Sequence, residues 1–154
     1  MDIPNYLITD VDSILVSLAR KHLPFSPTPT LTPQYHQILY AWRIHNNDYR
    51  GAAEILFERL QRLKQTTAKV FEPDDETLVE AYLVLINTLA CLGKDDAWIL
   101  ADSAEGEIGV KKSKRRIVTL EEVRREYQSE LDRRSEMQQG RFPLLGGGEP
   151  MDVL

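Results

Sequence analysis

Few side chains in this sequence have the type and spacing that catalysis or metal binding requires. The three histidines, His22, His36 and His45, are too scattered to suggest a zinc site. Glycines cluster only at 146–148, where no strand precedes them, so a phosphate-binding loop is not indicated. We therefore expect no enzyme activity, no cofactor, no metal and no small-molecule substrate.

Two further groups have a structural explanation. Asp74, Asp75 and Glu76 form a carboxylate cluster, but they stand at a predicted helix start, where negative charge stabilises the helix dipole. Cys91 is the single cysteine, and its apolar helix predicts a small buried side chain rather than a nucleophile. One cysteine excludes an internal disulfide, which fits a reducing compartment.

The most strongly charged motif is the basic run at 111–116, Lys-Lys-Ser-Lys-Arg-Arg. Such a run is typical of a nuclear-localisation or nucleic-acid patch, and equally of a solvated loop. Residues 1–110 carry a net charge of −7 and residues 111–141 carry +4, so nucleic acid is not indicated as the partner of the whole chain. A helical adaptor that binds nucleic acid through residues 111–134 is the alternative function.

Helical periodicity dominates the sequence, and nothing reads as a convincing strand. With 42% hydrophobic and 28% charged residues the composition is that of a globular protein, and no apolar stretch is long enough for a membrane span. We predict an all-α fold, a fragment of an α-helical solenoid. Its five helices are predicted near 10–22, 33–46, 48–65, 75–92 and 119–138.

Short motifs mark the predicted helix ends. Asp10 is expected to cap the first helix, Thr32-Pro33 to begin the second, and Asn47 to turn the chain into the third. Gly93 is expected to end the fourth helix in left-handed geometry. The stretch 95–103 around Trp98 is interpreted as a surface tether. The domain prediction is a helical region over 1–138, with a proline-rich linker at 24–33, a basic mobile loop at 104–116 and a disordered tail at 139–154.

The second and third helices are joined by a very short turn, which predicts an antiparallel αα-hairpin at the centre of the core. Trp42 is expected to pack there against Ala52, Ala53 and the fourth helix. The predicted core consists of Leu39, Trp42, Ala52, Ala53, Leu56, Tyr82, Leu85, Ile86 and Leu89.

The fifth helix starts at a capping box, Thr119 with Glu122, but its apolar stripe is thin. The stripe consists of Leu120, Val123, Tyr127 and Leu131. Because four side chains bury little surface by themselves, the stripe must dock onto something. We expect a partner protein, with Tyr127 and Leu131 as anchors; docking onto helices of this chain is the alternative.

Several of these motifs resemble one protein family. They are HQILYAWRIH at 36–45, NDYRGAAEILFERLQ at 47–61, YLVLINTL at 82–89, DAWI at 96–99, RRIVTLEE at 115–122 and RREY at 124–127. Together they are similar to the C-terminal α-helical region of the Nup-one-twenty (fungal) and Nup-one-sixty (animal) family of scaffold nucleoporins. The resemblance covers residues from about 10 to 134.

The resemblance implies that this chain is a slice of a solenoid in a longer protein that begins with a β-propeller. It implies a structural role in the nuclear pore complex at the nuclear envelope, where the region would join the short arm to the hub of the Y-shaped subcomplex. Support of mRNA export and protein import would follow. The implied partners are solenoids of the Nup-eighty-five and Nup-one-forty-five-C (animal Nup-ninety-six) type, with no membrane insertion.

Overall fold

The computed structural model describes residues 4–22, 33–67, 76–102 and 115–141, and it is largely α-helical with one small sheet. The elements, in chain order, are α1 (Asn5–Lys21), α2 (Tyr35–His45), α3 (Tyr49–Thr67), α4 (Thr77–Ala90), β1 (Trp98–Asp102), β2 (Arg115–Thr119) and α5 (Leu120–Arg141). Several predictions fall outside the described residues: the linker at 24–32, the carboxylates Asp74 and Asp75, the loop at 103–114 and the tail beyond 141.

The first helix begins earlier than its sequence motif predicts. The carbonyl of Pro4 accepts hydrogen bonds from the backbone N–H groups of Leu7 and Ile8, at 2.9 and 3.3 Å. Asp10 therefore lies inside α1, and the prediction that it caps the helix is wrong. Proline favours the start of a helix because its fixed φ suits the first turn and its missing N–H has no partner to lose there. The predicted end is confirmed, since His22 leaves helical geometry at φ −99°, ψ 152°.

The turn between α2 and α3 has the predicted left-handed residue. Asn47 has a φ of 60°, and the carboxylate of Asp48 accepts a hydrogen bond from the backbone N–H of Gly51 at 2.9 Å. This contact caps the first turn of α3. A Cβ atom on residue 51 would lie 2.1 Å from Oδ2 of Asp48, so a larger residue there would require the carboxylate of Asp48 to move.

The end of α4 differs from the prediction. The helix ends at Ala90, Cys91 keeps right-handed helical geometry, and Gly93 does not adopt the left-handed conformation expected of a stop residue. Cys91 is exposed rather than buried, because it falls on the outer side of the helix, two turns beyond the exposed Val84.

The prediction that the chain has no strand is wrong. β1 and β2 pair antiparallel, with Ile99 opposite Val118 and Leu100 opposite Ile117. The stretch around Trp98 is thus a strand rather than a tether, and residues 115 and 116 belong to a strand rather than to the predicted loop. Each strand has only five residues, which is too few for a period of two to stand out from helical spacing.

The buried side chains form two clusters. The larger one joins α3, α4, the inner face of the sheet and the start of α5, and the smaller one consists of Ala19, Leu39 and Ile55. Seven residues of the predicted core are buried, while Ile86 is half-buried against the larger cluster. Trp42 differs from the expectation, since it is half-buried and packs on the smaller cluster near α1 rather than against α4.

The start of α5 is capped by Thr119, whose hydroxyl accepts a hydrogen bond from the backbone N–H of Glu122 at 3.3 Å. The carboxylate of Glu122 pairs with Arg116, so the second half of the predicted capping box is replaced by an ion pair to β2. The helix continues to Arg141, three residues into the segment predicted as a disordered tail.

Candidate interaction site

The apolar stripe of α5 lies largely against the chain's own core. Val123 is 1% exposed, and Leu120 and Tyr127 are half-buried against the larger cluster. The ring of Tyr127 lies 5.8 Å from the ring of Tyr82 on α4, between centroids. Intramolecular docking therefore accounts for three of the four residues predicted as a partner interface. Leu131, one turn beyond Tyr127, is also half-buried.

A polar cluster fixes the same side of α5. Nζ of Lys64 on α3 lies 2.6 Å from Oε2 of Glu126, and the hydroxyl of Tyr82 donates to the same oxygen at 3.4 Å. Burial alone would lower the pKa of Lys64, but the hydrogen bonds and charges of Glu126 and Tyr82 together outweigh burial, and the pKa is raised. The charged pair thus ties α5 to α3 and α4 at the point where the stripe docks.

Arg43 on α2 connects this helix to α1 and α3. Its guanidinium forms two hydrogen bonds to Asp12 on α1, and Nη1 donates to the carbonyl of Gly51 on α3 at 2.7 Å. The planar fork of arginine suits both acceptors at once. Arg43 therefore fixes α1 and α3 relative to α2.

A side chain from α3 caps the C-terminal end of α1. Nη1 of Arg62 donates to the carbonyls of Ala19 and His22, at 2.9 and 3.3 Å, and Nη2 donates to that of Arg20 at 2.6 Å. These are helix-end carbonyls that lack partners within the helix. A cationic group also interacts favourably with the negative end of the helix dipole. No sequence motif points to this contact, because about forty residues separate its partners.

In the described part of the chain, four helices expose large apolar side chains, but only α1 and α4 expose more than one. On α1, Tyr6, Leu7 and Ile14 are 67%, 42% and 59% exposed, and on α4, Leu83 and Val84 are 41% and 38% exposed. Exposed apolar side chains on neighbouring turns are typical of surfaces that pack against another helix.

The described part of the basic segment is largely balanced by nearby carboxylates. Arg124 pairs with Glu121 at 2.9 Å, and Arg116 pairs with Glu122. Further along α5, Glu130 accepts from two arginines, Arg133 and Arg134, and its pKa is lowered: burial would raise it, but the two arginines outweigh burial. This arrangement of paired charges does not resemble a surface that tracks a phosphate backbone.

Other kinds of site were sought in the four described ranges. Within them, no three side chains of histidine, cysteine, aspartate or glutamate come together closely enough to hold a metal ion. None of the helices in those ranges combines the length and the apolar character that crossing a bilayer requires.

Comparisons with known proteins connect this chain to a family. A family model described as the NUP160/120 middle TPR matches residues 5–91. The nucleoporin NUP120 of Chaetomium thermophilum is 44% identical over 80 residues, which cover 44% of this chain and 6% of the relative. The nucleoporin nup120 of Schizosaccharomyces pombe is 32% identical over 124 residues, which cover 79% of this chain and 11% of the relative.

The match covers α1 to α4, and the chain spans only a small part of the length of these relatives. The matched region is described as the middle of the family's helical repeats, whereas the resemblance in the sequence pointed to the C-terminal region. Both relatives are nucleoporins, which are nuclear pore components at the nuclear envelope. Since the family model matches more than half of its residues, this chain belongs to the NUP160/120 family of nuclear pore nucleoporins.

Proposed function

We propose that this chain is a structural element of the nuclear pore scaffold and that it works through helix–helix contacts. One observation carries the proposal: α1 and α4 expose Tyr6, Ile14, Leu83 and other large apolar side chains, although the chain has a closed core of its own. The stripe of α5 supports the proposal less, because Val123 is buried and Leu120 and Tyr127 pack against the chain's own core.

The finer role is to join the short arm of the Y-shaped subcomplex to its hub. The partners proposed for it are the solenoids of the Nup-eighty-five and Nup-one-forty-five-C (Nup-ninety-six) type. These are themselves stacks of helices, so an apolar helix face is the surface that would fit them. Support of mRNA export and protein import follows from holding the scaffold together, with no chemical step performed by this chain.

The experiment is a capture assay with the purified partner solenoids. Ile14→Asp on α1 and Leu83→Asp on α4 each place a charge in one exposed apolar face, and Ser129→Asp on the outer side of α5 is the matched control. We expect at least one of the two face variants to lose capture, while all three keep the melting temperature of the parent because the changed side chains are exposed. Capture that survives both face variants would show that these surfaces do not carry the contact.

The nucleic-acid alternative is separated by an RNA titration at two salt concentrations. A phosphate-binding adaptor loses affinity steeply as salt rises, because each neutralised phosphate releases counterions. The scaffold proposal expects no saturable RNA binding near physiological salt, since Arg116 and Arg124 are paired with carboxylates of their own chain.

A further inference from the structure

The hydrogen-bond pattern of the small sheet leaves one edge of β2 unpaired. The backbone N–H of Leu120 donates to the carbonyl of Ala97 at 3.0 Å, which makes positions 97, 99 and 101 the hydrogen-bonded pairs of the ladder. Leu100 and Ile117 therefore form a non-hydrogen-bonded pair. The N–H and C=O groups of Arg115 and Ile117 point away from β1, toward the outer edge.

The outer edge of β1 is covered by a helix, whereas the outer edge of β2 is not. The backbone N–H of Leu100 is held by the carboxylate of Glu54 on α3, so a helix covers β1. Among the described residues, no backbone group pairs with the outward groups of Ile117. An unpaired edge of this kind is a template for another strand.

The side chains beside that edge are apolar and exposed. Ile117 is 60% exposed and lies directly opposite Leu100, which is 42% exposed, on the outer face of the sheet. A two-stranded sheet is marginally stable, and a third strand would pair the edge and place its own side chains beside Ile117. The geometry favours an extended segment over a helix at this position, because the free groups lie in a row along a strand.

The charge next to Ile117 defines the partner further. Arg115 is two residues earlier on the same face, and its side chain is 72% exposed. Its contact with Asp102 is 3.8 Å long and equally exposed, so it contributes little and can yield to another carboxylate. Arg116, on the opposite face, is paired with Glu122.

We propose that β2 binds an extended acidic–apolar segment of a partner protein as the third strand of this sheet. The segment places an apolar side chain beside Ile117 and, two positions away, a carboxylate beside Arg115. This contact is made by backbone pairing, so it goes beyond the helix–helix contacts of the scaffold proposal and does not depend on them.

The test uses the full chain and a synthetic peptide with the sequence Thr-Asp-Thr-Ile-Thr-Asp-Thr, capped at both ends. Its central isoleucine has an aspartate two positions away on each side, so either strand direction satisfies the pattern. The matched probe has lysine in place of both aspartates. We expect saturable binding of the aspartate peptide below about 1 mM. Amide exchange of Ile117 should slow at least about tenfold on binding, while that of Val118, already paired with β1, stays unchanged.

Arg115→Glu supplies the decisive comparison, with Arg124→Glu on α5 as the control charge reversal. Arg115→Glu should weaken the aspartate peptide about fivefold and strengthen the lysine peptide, and the control should do neither. An unchanged exchange rate at Val118 shows that the sheet of each variant is intact. The proposal is overturned if the aspartate peptide does not bind, if it binds without protecting Ile117, or if Arg115→Glu leaves the preference between peptides unchanged.

Discussion

The guanidinium of Arg43 and the carboxylate of Asp12 meet in a two-pronged contact between α2 and α1, with Nε–Oδ1 and Nη2–Oδ2 distances of 2.9 and 2.8 Å. The side chain of Arg43 is 14% exposed and that of Asp12 is 29% exposed. The hydrogen bond to Asp12 raises the pKa of Arg43, although burial would lower it. This pair therefore differs from the exposed Arg124–Glu121 pair of α5 in how much its loss would cost.

Replacing Asp12 with alanine should destabilise the fold by about 1 to 3 kcal/mol, because it leaves a largely buried guanidinium without its carboxylate acceptor. Urea unfolding measures the change. Asp10→Ala is the matched control on the same helix, since Asp10 is exposed, and it should stay within about 0.5 kcal/mol of the parent. Equal midpoints for the two variants would mean that the Arg43–Asp12 contact adds nothing to stability.

Arg62→Ala should loosen the end of α1 before it affects the rest of the fold. The substitution leaves the carbonyls of Ala19, Arg20 and His22 without the guanidinium that they share. We expect faster amide exchange in the last turn of α1 and a stability loss of about 1 to 2 kcal/mol. Lys21→Ala, an exposed cation in the same turn, is the control. Exchange that accelerates equally in both variants would contradict the capping role.

Tyr127→Ala should destabilise the isolated chain by about 2 to 3 kcal/mol, somewhat below the range for a fully buried aromatic residue because Tyr127 is half-buried. The lost contact is the packing of its ring on Tyr82. Thermal unfolding measures it, with the exposed Ser129→Ala as the control. If the variant has the same melting temperature as the parent, Tyr127 belongs to a partner interface, as the sequence analysis expects.

His36 should make stability depend on pH between about 4 and 6.5. Burial, together with the charges of Arg62 and Arg59, lowers its pKa from 6.5 to about 4 in the folded state. The unfolded chain therefore binds more protons in this interval, and the stabilisation present above pH 6.5 is lost as the pH falls toward 4. We expect the loss to be about 1 to 3 kcal/mol.

The comparison that isolates this effect is urea unfolding of the parent and of His36→Leu at several pH values. Carboxylates titrate in the same interval, but they contribute equally to both proteins. As the pH falls from 6.5 to 4, the stability of the parent should therefore fall relative to that of His36→Leu. Outside this interval the difference between the two proteins should stay constant. A difference that is constant across this interval would show that His36 has an ordinary pKa in the folded chain.

Local signals in the sequence were sufficient for most of the helices. The left-handed turn at Asn47 and the cap at Thr119 lie where their residue types predicted, because both depend on neighbours within three residues. The predicted start of α1 is wrong because Asp10 has the side chain of a helix cap, while Tyr6 and Leu7 before it do not belong to a buried helix face. Their exposure explains the missing signal.

Contacts between distant segments were not predictable from the same signals. Ile99 and Val118 pair although residues 103–114, which the structure does not describe, stand between their strands in the sequence. Strands of five residues are too short for their pattern to predict the pairing. The stripe of α5 was recognised, but a stripe does not specify which surface covers it. In the folded chain the ring of Tyr127 lies against the ring of Tyr82, a contact that depends on the packing of α5 on α4 and not on the stripe alone.

Thr119 is both the last residue of β2 and the cap of α5, and Leu120 follows it with no connecting loop. Strand and helix therefore form one continuous segment, and a displacement of one is transmitted directly to the other. At about 1.5 Å per residue, the 22 residues of α5 extend about 33 Å. A sideways force at the far end of α5 would be opposed first by the packing of Tyr127 on Tyr82 and by the Lys64–Glu126 pair, and only then by the hydrogen-bonded pairs between β1 and β2.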